Sequence, residues 1–242
     1  REPMGVVAAI SPFNAPLVLL IKMVVFALAA GNSVIAKPSE ETPLIAVELA
    51  KIFHEAGMPA GVFNVVTGYG AETGAALVDA KVDKIVFTGS TAVGRIIREQ
   101  TAGSGKALSL ELGGKSPILV FDDASLEDAV GAAMLGNFYS SGQICSNGTR
   151  VFVQRGLYEA FVAKLGPRTE ALKIGDPFDP DVMVGPLVSR EHHSKVMGYM
   201  DAALASTARH VCGGSVPDGV ALAHGNYVTP AIFADCDDEM SF

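Results

Sequence analysis

The stretch that decides the fold opens with Val6-Val7-Ala8-Ala9-Ile10 and closes with Ser33-Val34-Ile35-Ala36-Lys37. Between these two short, mostly β-branched runs lie the turn Ser11-Pro12-Phe13-Asn14-Ala15-Pro16 and an apolar run from Leu17 to Ala30. Continuous apolar strands on either side of a helix-length segment predict a parallel strand–helix–strand unit buried on both faces. The apolar run is about 14 residues long, short of the roughly 20 that a bilayer span needs, and Lys22 interrupts it. It is expected to be a buried helix.

Outward from this unit the alternation continues. Thr42 is expected to cap the next helix, with Pro43 at its first position, Gly57 at its end and Pro59 beyond. Val62 to Val66 predicts a strand, Ala71 to Val78 a short helix and Lys84 to Phe87 a further strand. A helix from Thr91 to Thr101 and a strand from Ala107 to Leu110 follow. The predicted class is α/β, a Rossmann-like parallel sheet whose ligand edge lies at the carboxyl ends of its strands.

The turn Leu112-Gly113-Gly114-Lys115 reads as a domain boundary, dividing the chain into 1–113 and 114–242. Beyond it a strand is expected from Pro117 to Phe121. Ser125 should cap a helix carrying Leu126, Ala129, Val130, Ala133 and Met134 at helical spacing. A strand from Thr149 to Gln154, helices at Leu157 to Leu172 and Glu191 to Leu204, and a last strand near Val228 to Phe233 complete the second α/β domain.

Composition excludes several classes. The chain has 242 residues, 49% hydrophobic and 18% charged, enough apolar material for a sizeable core. Eighteen basic against 26 acidic side chains leave −8, which disfavours nucleic acid or an anionic membrane as partner. Cys145, Cys212 and Cys236 are too few and too unevenly spaced for a disulfide framework or a zinc knuckle. No metal site is expected, and a reducing cytoplasm is the natural setting. Arg1-Glu2-Pro3 lacks the organisation of a secretory signal, and the first residue is not Met, so a processed chain or a fragment is expected.

Five places could carry chemistry. Cys145 stands in Ser140-Ser141-Gly142-Gln143-Ile144-Cys145-Ser146-Asn147-Gly148, among small and polar neighbours that let a substrate approach, whereas Cys212 and Cys236 read as buried hydrophobes. A thiol of ordinary acidity is only a few per cent thiolate at neutral pH, so it needs activation. The histidines, 54, 192, 193, 210 and 224, fall in helical or loop stretches as surface or capping residues, which disfavours a cysteine–histidine hydrolase. Glu111, at the end of an apolar strand, is either salt-bridged or a desolvated base able to activate water. Asn14 is either turn chemistry or a donor to an oxyanion. Lys37-Pro38-Ser39-Glu40 is either a helix-approach turn with solvated charges or a holder for the hydroxyls of an adenosine ribose, where Glu40 would repel a 2′-phosphate, leaning toward NAD over NADP. Gly89-Ser90-Thr91-Ala92-Val93-Gly94 opens a helix and suits a pyrophosphate, without being a complete dinucleotide fingerprint.

Together these motifs resemble the NAD(P)-dependent aldehyde dehydrogenases. The resemblance rests on Pro12-x-Asn14-x-Pro16-Leu17, Ala27 to Asn32, Lys37 to Glu40, Phe87 to Thr91, Glu111 to Lys115, Gly142-Gln143-x-Cys145, Gly175-Asp176-Pro177 and Gly185-Pro186-Leu187, all in family order. Within the family, Asn137 to Phe152 is most similar to the betaine-aldehyde and aminoaldehyde branch. The resemblance implies oxidation of an aldehyde to a carboxylic acid. Cys145 would be the nucleophile, Asn14 the oxyanion donor and Glu111 the base that activates water. Lys37, Glu40, Gly89, Ser90, Gly94 and Leu112 would be cofactor-binding. It also implies NAD, with NADP possible, and a homo-oligomer in the full-length protein.

The family's chain is longer at both ends, so a catalytically silent fragment that binds nucleotide or a partner is the alternative. Esterase or acyl-transfer work with the same Cys145 and Glu111 is another. Betaine-aldehyde enzymes enclose a trimethylammonium head with aromatic rings. Here Ala15 and Ile21 stand at two such positions, Phe13 replaces a Trp, Tyr139 is one remaining wall, and the chain has no Trp at all. The expected substrate is a small or less cationic aldehyde.

Overall fold

The computed structural model describes residues 2–242 except 220, 221 and 223. Residue 1, where the Arg1-Glu2-Pro3 start begins, lies outside the described residues. The chain divides into two compact units, Arg1–Gly113 and Gly114–Phe242.

The first unit alternates strand and helix: β1 (Val6–Ile10), α1 (Pro16–Ala29), β2 (Ser33–Lys37), α2 (Leu44–Glu55) and β3 (Phe63–Val65). A π-type turn at Gly70–Gly74 runs into α3 (Ala75–Asp79), followed by β4 (Lys84–Gly89), α4 (Thr91–Gln100) and β5 (Ala107–Leu112). All four strand pairings are parallel, in the order β3-β2-β1-β4-β5. Successive side chains of β1 go to opposite cores. Val7 and Ala9 join Leu20, Met23 and Val24 of α1 and Ala46 and Leu49 of α2. Ala8 and Ile10 join Leu77, Val78, Ile85, Phe87 and Ile97. Period-two side-chain alternation with both faces apolar is what a doubly covered parallel sheet requires.

Three local expectations change. Thr42 does not cap α2; Pro43 occupies the cap position without a side-chain hydrogen bond, and the Thr42 hydroxyl is buried without a partner. The apolar helix is only half covered. Leu20, Met23 and Val24 are buried, whereas Val18, Val25 and Phe26 are exposed, because the sheet contacts one side of a helix that is apolar all round. β4 and β5 extend two residues further than the apolar pattern, as parallel pairing carries on through Thr88–Glu111 and Gly89–Leu112.

Leu20 is fully buried at the centre of the first core. Leu20→Ala is expected to destabilise the protein by about 2–5 kcal/mol, the range for emptying a packed leucine site. Urea unfolding at unchanged slope checks this.

The second unit carries β6 (Pro117–Val120), α5 (Leu126–Phe138), β7 (Arg150–Val153), α6 (Arg155–Glu170), α7 (Arg190–Leu204), β8 (Arg209–Cys212) and β9 (Ile232–Ala234). Its core joins Val120, Val130, Ala133, Phe161, Val162, Leu165 and Ala234. Strands β6 and β7 pair in parallel and β8 and β9 antiparallel. As expected, the Ser125 hydroxyl caps α5 by accepting from the Asp128 amide.

β8 escaped the sequence pattern, since Arg209 and His210 are exposed and only Val211 and Cys212 point inward. His210 is therefore a strand residue, its ring stacked on Phe233 at 5.3 Å, and not a loop or helix residue. Cys212 is buried as read, but Cys236 is exposed. Among the described residues no helix is long and apolar enough to cross a membrane.

Candidate active site

In the first unit the strand order reverses direction between β1 and β4, the position at which open parallel sheets leave a crevice at their carboxyl ends. Register aligns that edge. Ile10 of β1 lies beside Lys37 of β2 and Phe87 of β4, and the Ser11 amide donates to the Lys37 carbonyl at 3.0 Å. Five of the expected positions leave this edge. Asn14 follows β1, Lys37 and Glu40 end and follow β2, and Gly89 and Ser90 end and follow β4.

Asn14 is half-buried in a turn whose next residue, Ala15, holds a left-handed backbone (φ 46°, ψ 52°). Pro16 then opens α1 at its first helical position, where the lack of an N–H costs nothing. Lys37 is 2% exposed, and its ammonium sits 3.2 Å from the Glu40 carboxylate. Burial pushes the Glu40 carboxyl up. Its own backbone amide, the Lys37 ammonium and the Gly70 amide outweigh that and hold it below the usual carboxylate range. Glu40 thus stays an acceptor while partly open to solvent.

Ser90 caps α4, its hydroxyl accepting from the Val93 amide at 3.2 Å, so other first-turn amides remain available to an anion. Gly94 is required by a close approach: a Cβ there would come within 2.6 Å of the Leu112 side chain. Glu111 corrects its expected setting. It lies inside β5 beside Thr88, and its side chain is exposed rather than desolvated, because alternation along the strand turns it away from the neighbouring apolar core.

In the second unit Cys145 is exposed at the second position of a turn closed by the Asn147 amide donating to the Ile144 carbonyl. The turn is anchored towards α5. The buried Asn147 side chain donates to the Asn137 carbonyl at 3.2 Å, and the Gly148 amide donates to the Gly136 carbonyl at 2.9 Å. Gly148 lies so close to Ile118 that a Cβ would collide with it.

Upstream, Ser140 (φ 52°), Ser141 (φ 54°) and Gly142 (φ 73°) form one left-handed turn. For the two serines this conformation costs about 1–2 kcal/mol each. The Ser141 hydroxyl donates to the Gly185 carbonyl at 2.9 Å, and the Gln143 side-chain oxygen accepts from the Val188 amide at 3.1 Å.

Against known proteins, the whole chain, residues 1–242, matches the aldehyde dehydrogenase family. The chain belongs to the aldehyde dehydrogenase family. Curated relatives include a betaine aldehyde dehydrogenase of Cereibacter sphaeroides, 50% identical over 241 residues, with 100% of this chain and 49% of the relative covered. A betaine aldehyde dehydrogenase of Rhizobium etli is 49% identical over 242 residues, at the same coverage. The chain therefore spans about half the length of those relatives.

Among solved structures, the Staphylococcus aureus betaine aldehyde dehydrogenase in complex with NAD+ superposes with a TM-score of 0.96 at 39% identity, covering 99% of this chain and 48% of that one. HpcC from Thermus thermophilus gives 0.93 at 43% identity, covering 96% and 46%. The α/β class expected from the sequence is that of these neighbours.

Sequence reading passed over Ser141, Asn147 and the anchoring role of Gln143. A signal was present in the polar side chains that recur among glycines on both sides of Cys145. So was one in Gly185-Pro186-Leu187, a motif without a chemical group of its own whose backbone receives Ser141.

Proposed function

We propose that the protein oxidises a small aldehyde to its carboxylic acid with NAD, through a thioester on Cys145. The observation that carries this reading is the exposed thiol on a pinned turn, in a chain matched from residue 1 to 242 by the aldehyde dehydrogenase family.

In this scheme the Cys145 thiolate adds to the aldehyde carbon, forming a C–S bond and leaving the negative charge on oxygen. The Cys145 backbone N–H is a donor for that oxygen, and the family resemblance implies the Asn14 amide as a second; one such donor is worth about 2.7–4 kcal/mol of barrier. The chemistry that bound NAD supplies is acceptance of one hydride from that carbon. Cys145 then holds the acyl group as a thioester. Glu111 takes a proton from water, the hydroxide adds to the acyl carbon, and the thiolate leaves as the acid forms.

The edge of the first sheet fits NAD. Ser90, Gly89 and the first turn of α4 suit a pyrophosphate, with Gly94 and Leu112 packed behind them. Lys37 and Glu40 suit ribose hydroxyls, and a carboxylate kept charged there disfavours a 2′-phosphate. The two relatives named above are betaine aldehyde dehydrogenases. Yet Ala15 has no ring to offer a trimethylammonium head, and Ile21 packs against the first core. This supports a less cationic aldehyde. A cytoplasmic, self-associating protein completes the reading, supported by three free thiols and by the family resemblance.

Calorimetric titration with NAD and NADP, followed by aldehyde-dependent formation of reduced nicotinamide, tests it. NAD should bind at least about tenfold more tightly than NADP, since like charges held together are costly. Binding without turnover would reduce the protein to a nucleotide-binding chain, and absence of both would overturn the assignment.

A further inference from the structure

The left-handed turn before Cys145 is held from outside. Serine does not adopt φ near +50° willingly, and here two in succession do so at Ser140 and Ser141. Such a conformation persists where the surroundings over-determine it. The surroundings in this case are the strap from Val184 to Ser189. Ser141 donates to the Gly185 carbonyl at 2.9 Å, and Gln143 accepts from the Val188 amide at 3.1 Å.

The strap is fixed independently of the loop. Val184 and Leu187 are buried, Val184 bridges to Ile174, and the Leu187 amide donates to the Asn226 carbonyl at 2.9 Å. At its end the Ser189 hydroxyl caps α7, accepting from the His192 amide. Both clamps therefore run from a strained loop to a firm support, and Cys145 follows Gln143 by two residues.

We infer that Ser141 and Gln143 are positioning residues, whose hydrogen bonds to the strap fix the turn that presents Cys145. The inference rests on Cys145 being the nucleophile. Neither side chain is assigned a contact with the reacting atoms. Each removes conformations in which the thiol points elsewhere, so its loss lowers the fraction of bound substrate held for attack. That is a loss in kcat at nearly constant KM.

The test compares Ser141→Ala, Gln143→Leu, the double variant and Gln143→Glu, which keeps an oxygen for the Val188 amide. Hydrogen exchange of the peptide spanning 140–148 should speed up about tenfold or more in the double variant. Its kcat should fall about 10- to 100-fold, with KM changed less than about twofold. Gln143→Glu should restore both quantities relative to Gln143→Leu. If the double variant does not fold, the single variants carry the same comparison.

Exchange unchanged within about twofold would overturn the inference. So would an unchanged kcat in the same protein whose Cys145→Ala variant is dead. A Cys145→Ala variant that still turns over would instead overturn the nucleophile assignment, which keeps the two failures distinct. Where the parent protein shows no turnover, exchange and its recovery in Gln143→Glu decide the matter.

Discussion

Cys145→Ala is expected to lower aldehyde oxidation by at least about 10⁴-fold, because removing a covalent nucleophile abolishes the path and leaves only binding effects. The substitution is small, and the site is an exposed turn, so the fold should survive it. Affinity for NAD should be unchanged, since the residues assigned to it leave the carboxyl edge of the first sheet. Cys236 supplies the internal control. It is also exposed, so Cys236→Ala tests whether thiol loss as such matters. Burial, Asp235 and Asp237 push the Cys236 thiol up in pKa, which lowers its thiolate content at neutral pH. Alkylation mapped by peptide mass spectrometry should track loss of activity at Cys145 and not at Cys236. Normal turnover in Cys145→Ala would end the thioester mechanism.

Glu111→Gln should have the next largest effect, of a different kind. Loss of a general base costs about 10²- to 10⁴-fold. In this scheme that cost falls on hydrolysis of the thioester, after the oxidation step. Rapid mixing with aldehyde and NAD should then give a burst of about one reduced nicotinamide per active chain, followed by a slow phase. Intact mass measurement should find the acyl group on Cys145. Glu111 is exposed and glutamine is nearly isosteric, so stability should hardly change. A uniform slowing without a burst would place Glu111 before the hydride step and remove it from hydrolysis.

The fold of the first unit was legible because its strands are continuous apolar runs and its helices are punctuated. β1 and β2 fall on the residues that composition marks, since both faces of the sheet are covered and nothing polar breaks the pattern. The second unit was harder to read. β8 opens with Arg209 and His210, so half of it is solvent-facing and carries no apolar run. The helix expected from Leu157 to Leu172 does run through Pro167, as α6, with Leu165 and Thr169 on either side of the proline buried.

The candidate site divides in the same way. Lys37, Ser90 and Cys145 stand out as candidates from local chemistry, because Lys37 ends β2, Ser90 precedes α4 and Cys145 lies in a tight turn. The setting of Glu111 was misjudged, since strand alternation decides exposure and a hydrophobic neighbourhood in sequence does not. Ser141 was passed over because its partner, Gly185, is distant in sequence and offers only a carbonyl.

The strand order of the first unit also sets a timetable for assembly. β1 is central, yet one of its two neighbours is β4, so Val7 must wait for Lys84 and Ile10 for Phe87. As the chain leaves the ribosome, β1, α1 and β2 can associate early. One edge of β1 then stays open until everything from Ser11 to Asp83 has been made. Long-range parallel pairing of this kind is slow, and an open strand edge is adhesive. Growing chains are therefore most vulnerable to aggregation after β2 has formed and before β4 emerges, the interval in which a chaperone would matter most.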